Sequence, residues 1–553
     1  MPAPDAPVAL VTQALDATRR LASRRPAALL GAACAIQLAI GAAIALSSTH
    51  NGFVWYSGGD ATEYWTDGWV LAHHAVPQAV VGPGMPLLYS WLSWLTGPSL
   101  VSALPVITML QLVVLVPLAA LLVWAIADLL FGRTFAWWTL ALWLVAPVLL
   151  LAGFDATYAP QFRDLFLAPH WYGLTDMADL PSLVAVLATA WAMLRMAERR
   201  TVEDAVLGGT FMGALILIKP ANGFFVPAAL ILLAATREIR TIAVWCAAVV
   251  PELAALTVWK AKGLGHVPLL AARYAREAMG RVTVVAVTNR YVHLDWSHFT
   301  GELRDLGGVF WSVRVLEFLA VAGLLGALRR SAWKGAFLGV WFIAFVIVKG
   351  STDLASVPSV SYYRYVEPGL PAFALLTASI AYFVPRRARA FAPATTPAAL
   401  PGGLRTAGIA AVLLGLVPLA VLAATPAAST PRDVLDLARI NDAPIASRLT
   451  ATTQVTNGTV RLSWRPYRTR AASVYYVVYR SSRPATCSVP PSGGAECDLD
   501  MTSIGYTSAT SFVDHASAGR HWYRVGLMAN YTKTLDGSDL MLIGPATAAT
   551  NGR

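Results

Sequence analysis

Three carboxylates fall within eight residues in the run Asp60-Ala61-Thr62-Glu63-Tyr64-Trp65-Thr66-Asp67, interleaved with aromatic side chains. On a helix, the i, i+3, i+7 spacing puts Asp60, Glu63 and Asp67 on one face. Acids gathered in this way suit general-base work on a hydroxyl, or the holding of a divalent metal. The same residues also fit a helix start, with Asp60 as N-cap and Glu63 completing a capping box. A second acid is offered by Asp155, with Asp164 competing. Asp176 and Asp179, just before Pro181, read as the N-terminal cap of a helix.

Cations that could face an anionic group are Lys219, Lys349 and Arg364, at the ends of apolar stretches. An unpaired cation costs about 2.5–3.5 kcal/mol at a membrane centre, so each must snorkel to the interface or meet an anion. The stretch 260–308 adds Lys260, Lys262, Arg273, Arg276, Arg281 and Arg290. His73 and His74 match neither a metalloprotease motif nor a zinc-ligand set, and read as packing residues.

What must position these groups is a membrane domain. Of 553 residues, 56% are hydrophobic and only 13% charged, and the mean hydropathy is +0.56. Charge at about half the level of a soluble domain excludes a disordered chain, a secreted disulfide scaffold and an ordinary cytosolic enzyme. Apolar stretches of a length to cross a hydrocarbon core of roughly 30 Å recur near 27–47, 101–128, 135–153, 178–196, 205–218, 222–236, 241–259, 309–328, 335–348, 367–385 and 404–424. About eleven spans are therefore expected, the pair at 205–236 being short and broken at Lys219-Pro220.

Basic turns orient them. Arg19, Arg20, Arg24 and Arg25 precede the first span. Arg133, then Arg199 and Arg200, Arg237 and Arg240, Arg329, Arg330 and Lys334, and finally Arg386, Arg387 and Arg389 all fall on one side of such a chain. The positive-inside rule makes that side cytoplasmic and the C-terminus external. The net charge of +11 is thus a topology signal; no nucleic-acid partner is implied. The long connections 48–100, 154–177 and 260–308 lie outside with everything after 425, so chemistry is expected at the outer face.

The expected organisation is a cytoplasmic segment 1–26, a transmembrane domain 27–424, a linker 425–454 and an extracytoplasmic module 455–553. In the module, apolar alternation over 460–464, 473–480, 510–514, 521–527 and 540–543 predicts a small all-β sandwich. A Trp on the second strand (Trp464), an aromatic third strand, and Tyr523 with Val525 late in the module resemble a fibronectin type III domain. Cys34 and Cys246 lie inside spans. Cys487 and Cys497 flank a Pro/Gly-rich loop on the oxidising side, where a disulfide is expected. The sequons at Asn457 and Asn530 matter only in a eukaryotic secretory route.

The acidic loop is followed by Gly82-Pro83-Gly84-Met85-Pro86-Leu87-Leu88-Tyr89, then Leu217-Ile218-Lys219-Pro220, then Tyr363-Arg364-Tyr365-Val366-Glu367-Pro368-Gly369-Leu370-Pro371. This ordered set, over about 25–385, resembles the GT-C superfamily of membrane glycosyltransferases, which includes protein O-mannosyltransferases and lipid A aminoarabinose transferases. The resemblance implies transfer of a sugar from a polyprenyl-phosphate donor to an acceptor hydroxyl at the outer face of a bacterial plasma membrane. It also implies that Asp60 serves as base. The family's acids are adjacent or nearly so, whereas Glu63 stands three residues on. Tyr64, Lys219, Lys349 and Arg364 become substrate-binding candidates and Asp155 a second acid. The implied partners are the lipid donor, membrane lipid, and an envelope glycan, lipid or protein as acceptor. A divalent metal is the one cofactor the acids suggest. Two rivals remain open at this level, a transporter or lipid-sugar flippase, and an envelope-binding protein without catalysis.

Overall fold

The computed structural model describes residues 26–47, 60–77, 81–96, 100–264, 295–310, 313–352, 355–358, 361–383, 397–427, 449–456, 458–467, 473–482, 502–530 and 540–552. Up to residue 424 the elements are helical; beyond 449 strands dominate. Among the described residues, seven helices are long and apolar enough to cross a membrane: Pro26–Ser47, Ala103–Phe131, Arg133–Gly153, Asp179–Arg199, Ile239–Gly263, Ala332–Ser351 and Leu404–Ala424. The other four expected spans fall on helices Val202–Ile218, Val313–Arg330 and Leu370–Phe383, and on the shorter apolar stretch Pro220–Thr236. Lys219 is the point of interruption. It has extended backbone (φ −148°, ψ 106°), and Pro220 after it has no N–H to continue the ladder.

Helix interiors are lined by a continuous core, in which Trp143, Phe166, Tyr172, Phe225, Phe337 and Trp341 are fully or almost fully buried. Many outward apolar side chains are instead exposed, among them Trp91, Leu95, Trp138, Leu149, Phe318 and Leu413. In water this would be an aggregation surface; against lipid tails it is solvated.

Among the described residues, the basic turns at Arg133, at Arg199 and Arg200, at Arg237, and at Arg329, Arg330 and Lys334 gather at one end of the bundle. Lys334 Nζ donates to the final carbonyls of a neighbouring helix, Leu129 O (3.0 Å) and Leu130 O (3.1 Å), and pairs with Glu198 (2.8 Å). Arg195 and Arg199 pair with Asp204, and Arg330 lies over the Tyr382 ring. Cations near helix C-termini satisfy orphan carbonyls and the local dipole. Asp179 and Lys219 sit at the opposite ends of these same helices.

Residues 60–77 and 81–96 are packed onto that opposite end. Helices Asp60–Ala72 and Gly84–Thr96 pack together, with Gly68 against Tyr89. The approach to the Lys219 break is too close for side chains. A Cβ on Gly84 would sit 2.7 Å from Ile218 Cα, and one on Gly82 would strike Leu217 O. This is the physical reason for the Gly-Pro-Gly run. Trp259 Nε1 and Lys260 Nζ both donate to Val81 O (3.0 and 2.9 Å), and Lys262 Nζ donates to Leu422, Ala423 and Thr425 carbonyls. Lys262 therefore caps a helix end, while Lys260 holds the turn that precedes the Gly84–Thr96 helix; Arg273, Arg276, Arg281 and Arg290 lie outside the described residues.

The C-terminal part forms two antiparallel sheets. One has the order β1 (Thr452–Thr456), β2 (Thr459–Ser463), β5 (Ser511–Asp514). The other runs β4 (Thr502–Thr507), β3 (Ser473–Ser481), β6 (Gly519–Asn530), β7 (Leu540–Ile543), with β8 (Thr547–Asn551) also on β6. Leu462, Trp464, Tyr476, Val478, Tyr523 and Val525 form a shared core between them. Every expected strand is present; β1, β4 and β8 are additional, because their alternation is carried by Thr, Ser and Ala rather than by large apolar residues. Asp514 accepts from Arg480 (3.0 Å) and from the buried Tyr523 hydroxyl (2.8 Å). Cys487 and Cys497 lie outside the described residues.

Candidate functional site

Four chain segments deliver charge to one buried point. The Asp179 carboxylate, 2% exposed, accepts from Lys219 Nζ at 2.7 Å and from Arg364 Nε at 3.2 Å, and His170 Nδ1 lies 3.1 Å away. Asp179 opens its helix, where free N–H groups favour an anion. Lys219 stands at the break described above. Arg364 comes from the short helix Ser361–Val366, and His170 from the π-helical turn Arg163–Trp171. Burial pushes the His170 imidazole below the ordinary histidine range, against the pull of Asp179. It is therefore neutral at physiological pH, and the formal cations here belong to lysine and arginine.

Two further groups stand beside this centre. Lys349 is 1% exposed, with its Nζ 5.3 Å from the Tyr365 ring centroid and 5.5 Å from that of Phe345. Glu367 is fully buried. Both are near enough to Asp179, Lys219 and Arg364 to interact electrostatically. Among the described residues, neither Lys349 Nζ nor either Glu367 oxygen has a hydrogen-bond partner. Three formal cations thus face two carboxylates. Such groups are expensive to bury without partners, which is the usual mark of a site built for a ligand rather than for stability.

The wall of the site is the 172–179 segment. Its backbone is tied by Tyr89 Oη to Asp176 O (2.6 Å) and by Gln111 Nε2 to Thr175 O (2.6 Å). Tyr89 is buried, and burial followed by the charge of Asp176 holds its phenol well above the usual range, so it stays a donor. Tyr64 also lies near Tyr89 and packs with Trp65, Met85 and Tyr89. The helix carrying Asp60, Glu63 and Asp67 is thereby fixed beside the segment that ends in Asp179.

The structure therefore gathers Lys219, Lys349 and Arg364, which lie far apart in the chain, and sets Tyr64 beside Tyr89, which bonds the segment leading to Asp179. The acidic run is helical, as its spacing suggested, with Glu63 half-buried and Asp67 buried. Asp60 is the first residue of that helix, and its side chain lies outside the described part. The Asp155 side chain is exposed, and its carboxylate accepts from Thr157 N at 2.9 Å, a turn-closing bond that lowers its pKa. Asp164 pairs with its neighbour Arg163. His73 stacks on Trp69 at 4.0 Å and contacts Trp69 O, a packing role.

Asp179, His170 and Glu367 were not singled out as site residues from sequence. A signal for Asp179 existed. Three cations at apolar helix ends require a carboxylate at the same level, and Asp179 stands at such an end. Among the described residues, no three His, Cys, Asp or Glu side chains form a metal-holding group, so no metal step is derived. Comparison with protein-family models and with curated proteins returns no match to this chain.

Proposed function

We propose that the chain is a multi-pass membrane glycosyltransferase that moves a sugar, with inversion, from a polyprenyl-phosphate donor to an acceptor hydroxyl on the outer membrane face. The observation that carries this reading is the convergence of Lys219, Arg364 and Lys349 on a buried carboxylate beside the helix that begins at Asp60. An excess of cation over carboxylate suits a departing lipid phosphate. Neutralising that charge in a water-poor site contributes several kcal/mol to the transition state.

In this reading the acceptor oxygen attacks the anomeric carbon from the face opposite the phosphate. Its proton passes to Asp60, the C–O bond to phosphate breaks, and the electron pair leaves with the lipid phosphate held by Lys219, Arg364 and Lys349. Asp179 orients the first two cations, and Tyr64 lines the approach. The positive-inside rule, which makes the basic turns cytoplasmic, supports placing this end of the bundle outside. The order β1-β2-β5 and β4-β3-β6-β7 supports a fibronectin type III-like reading of the external module.

The test is mass spectrometry of envelope glycans and lipid-linked sugars in cells carrying wild type, Asp60→Asn or Lys219→Met. Each variant should remain in the membrane, lack one glycan sugar and accumulate its lipid donor. Normal transfer in Asp60→Asn refutes the base. Donor accumulating only on the cytoplasmic leaflet means a flippase instead.

A further inference from the structure

A carboxyl group stands in the middle of a membrane-length helix. Glu252 lies thirteen residues after Ile239 and eleven before Gly263, about 20 and 17 Å from those ends at a rise of about 1.5 Å per residue. It is 1% exposed, and among the described residues neither of its oxygens has a hydrogen-bond partner. No charged group among them is near enough to act on it. On its own helix, Arg240, Lys260 and Lys262 stand toward the ends. Glu203 and Asp204 open the neighbouring helix Val202–Ile218, Arg405 stands at the start of Leu404–Ala424, and Val226–Thr236 carries no charge.

The side chain is lodged between glycines of two neighbouring helices. A Cβ on Gly213 would lie 2.5 Å from Glu252 Cβ and 2.7 Å from its carboxyl carbon. One on Gly415 would lie 2.6 Å from Oε1. Any larger residue at either position would press the carboxyl out, so two bare backbones shape a notch around it. Gly415 belongs to the π-helical turn Val412–Leu416, and such turns recur at functional sites. Pro251 precedes Glu252 directly and Pro418 follows Gly415 by three residues. Each proline removes a ladder N–H and leaves a carbonyl one turn earlier without its donor.

We propose that Glu252 is an intramembrane binding site for a small monovalent cation, a proton or sodium. An ionised carboxylate without a counter-charge is too costly to keep among apolar side chains. Since no side chain among the described residues supplies that counter-charge, a small cation does. An ionisable group at this depth marks an ion or proton pathway more often than a stabilising contact. A carboxyl kept as a hydrogen bond between helices would have a partner for its oxygens. A divalent ion would leave uncompensated positive charge beside a single carboxylate, and backbones this close leave no room for an organic cation. The site uses none of the Asp179 cluster and does not depend on the transfer reaction.

The experiment is infrared difference spectroscopy of the full chain in nanodiscs, wild type against Glu252→Gln. In sodium-free choline buffer the difference should contain one protonated-carboxyl C=O band that moves to lower frequency in heavy water. Glu252→Asp should shift this band rather than delete it. Gly415→Ala should shift it as well, since the added methyl presses on Oε1. Sodium chloride then separates the two occupants. Loss of the band, the proton leaving to the buffer as sodium enters, with a melting temperature that rises in wild type and not in Glu252→Gln, assigns sodium. A band unchanged by sodium assigns the proton alone. The proposal is overturned if choline buffer gives no such band, if the band survives in Glu252→Gln, or if Gly415→Ala leaves it unmoved.

Discussion

Replacing Asp179 with asparagine keeps the shape of the side chain and removes its charge. The carboxylate is 2% exposed and its partners Lys219 and Arg364 are 13% and 20% exposed, so solvent cannot substitute for it. Breaking a buried ion pair from one side costs about 3–5 kcal/mol, mostly because the opposite charge is stranded. Here two cations lose a carboxylate at 2.7 and 3.2 Å. For a chain of this length, a kcal/mol corresponds to about 1–2 °C in melting temperature, so Asp179→Asn should melt roughly 3–10 °C lower. The sharper prediction concerns sign. Lys219→Met alone should destabilise, because it leaves Asp179 with one cation fewer. In the Asp179→Asn background the same change should stabilise, because it removes a stranded cation. A double-mutant cycle read by tryptophan fluorescence in detergent measures this coupling. Additive losses, or an unchanged melting temperature for Asp179→Asn, would refute the cluster as an electrostatic unit.

Four further outcomes follow from the geometry. His170 stays neutral in the fold, whereas an unfolded histidine takes up a proton near pH 6.5, so native stability should fall as pH drops below about 6.5; His170→Gln should flatten that slope in melting curves taken between pH 5 and 8. Gly84→Val should force the Gly84–Thr96 helix off Ile218 and cost about 1–3 kcal/mol or more, read as a lower melting temperature; full stability would mean this contact is not tight. Both Glu252 oxygens are buried without hydrogen-bond partners among the described residues, so Glu252→Met should raise stability by about 1–3 kcal/mol. Tyr523→Phe removes the hydroxyl from Asp514 and should cost the β module about 1–3 kcal/mol, detected as faster proteolysis after residue 449 with the helical domain unaffected.

Legibility in the sequence followed the range of the interactions. Helices at 26–47, 133–153 and 179–199, and strands such as 473–481, declare themselves through local hydropathy and alternation. Lys219, Lys349 and Arg364 were visible because a cation at an apolar helix end is conspicuous in a chain with so few charges. Their meeting point was not visible, since Asp179 lies 40 residues from Lys219 and 185 from Arg364. Its position before a Pro at a helix start has a sufficient local explanation as a cap. Asp155 illustrates the converse: its place in the connection 154–177 drew attention through the resemblance, and locally its carboxylate closes its own turn. Glu367 stands inside the Tyr363–Pro371 run, where nothing local distinguishes a buried acid from a cap. Four of the expected spans gave helices at or below 18 residues, where hydropathy windows blur helix ends and breaks such as Lys219-Pro220.

The 185-residue separation of Arg364 from Asp179 also orders events in time. At synthesis rates of about 5–20 residues per second, Asp179 enters the membrane roughly 10–40 s before Arg364 exists. For most of that interval, until Lys349 emerges, the carboxylate has at most Lys219 and His170 for company. A chain stalled or cut between residues 219 and 364 therefore presents an incompletely paired acid at a helix end, a feature that membrane proteases and chaperones can read. The last cation to arrive completes the cluster, so assembly of the site doubles as a report that the helical domain is nearly complete.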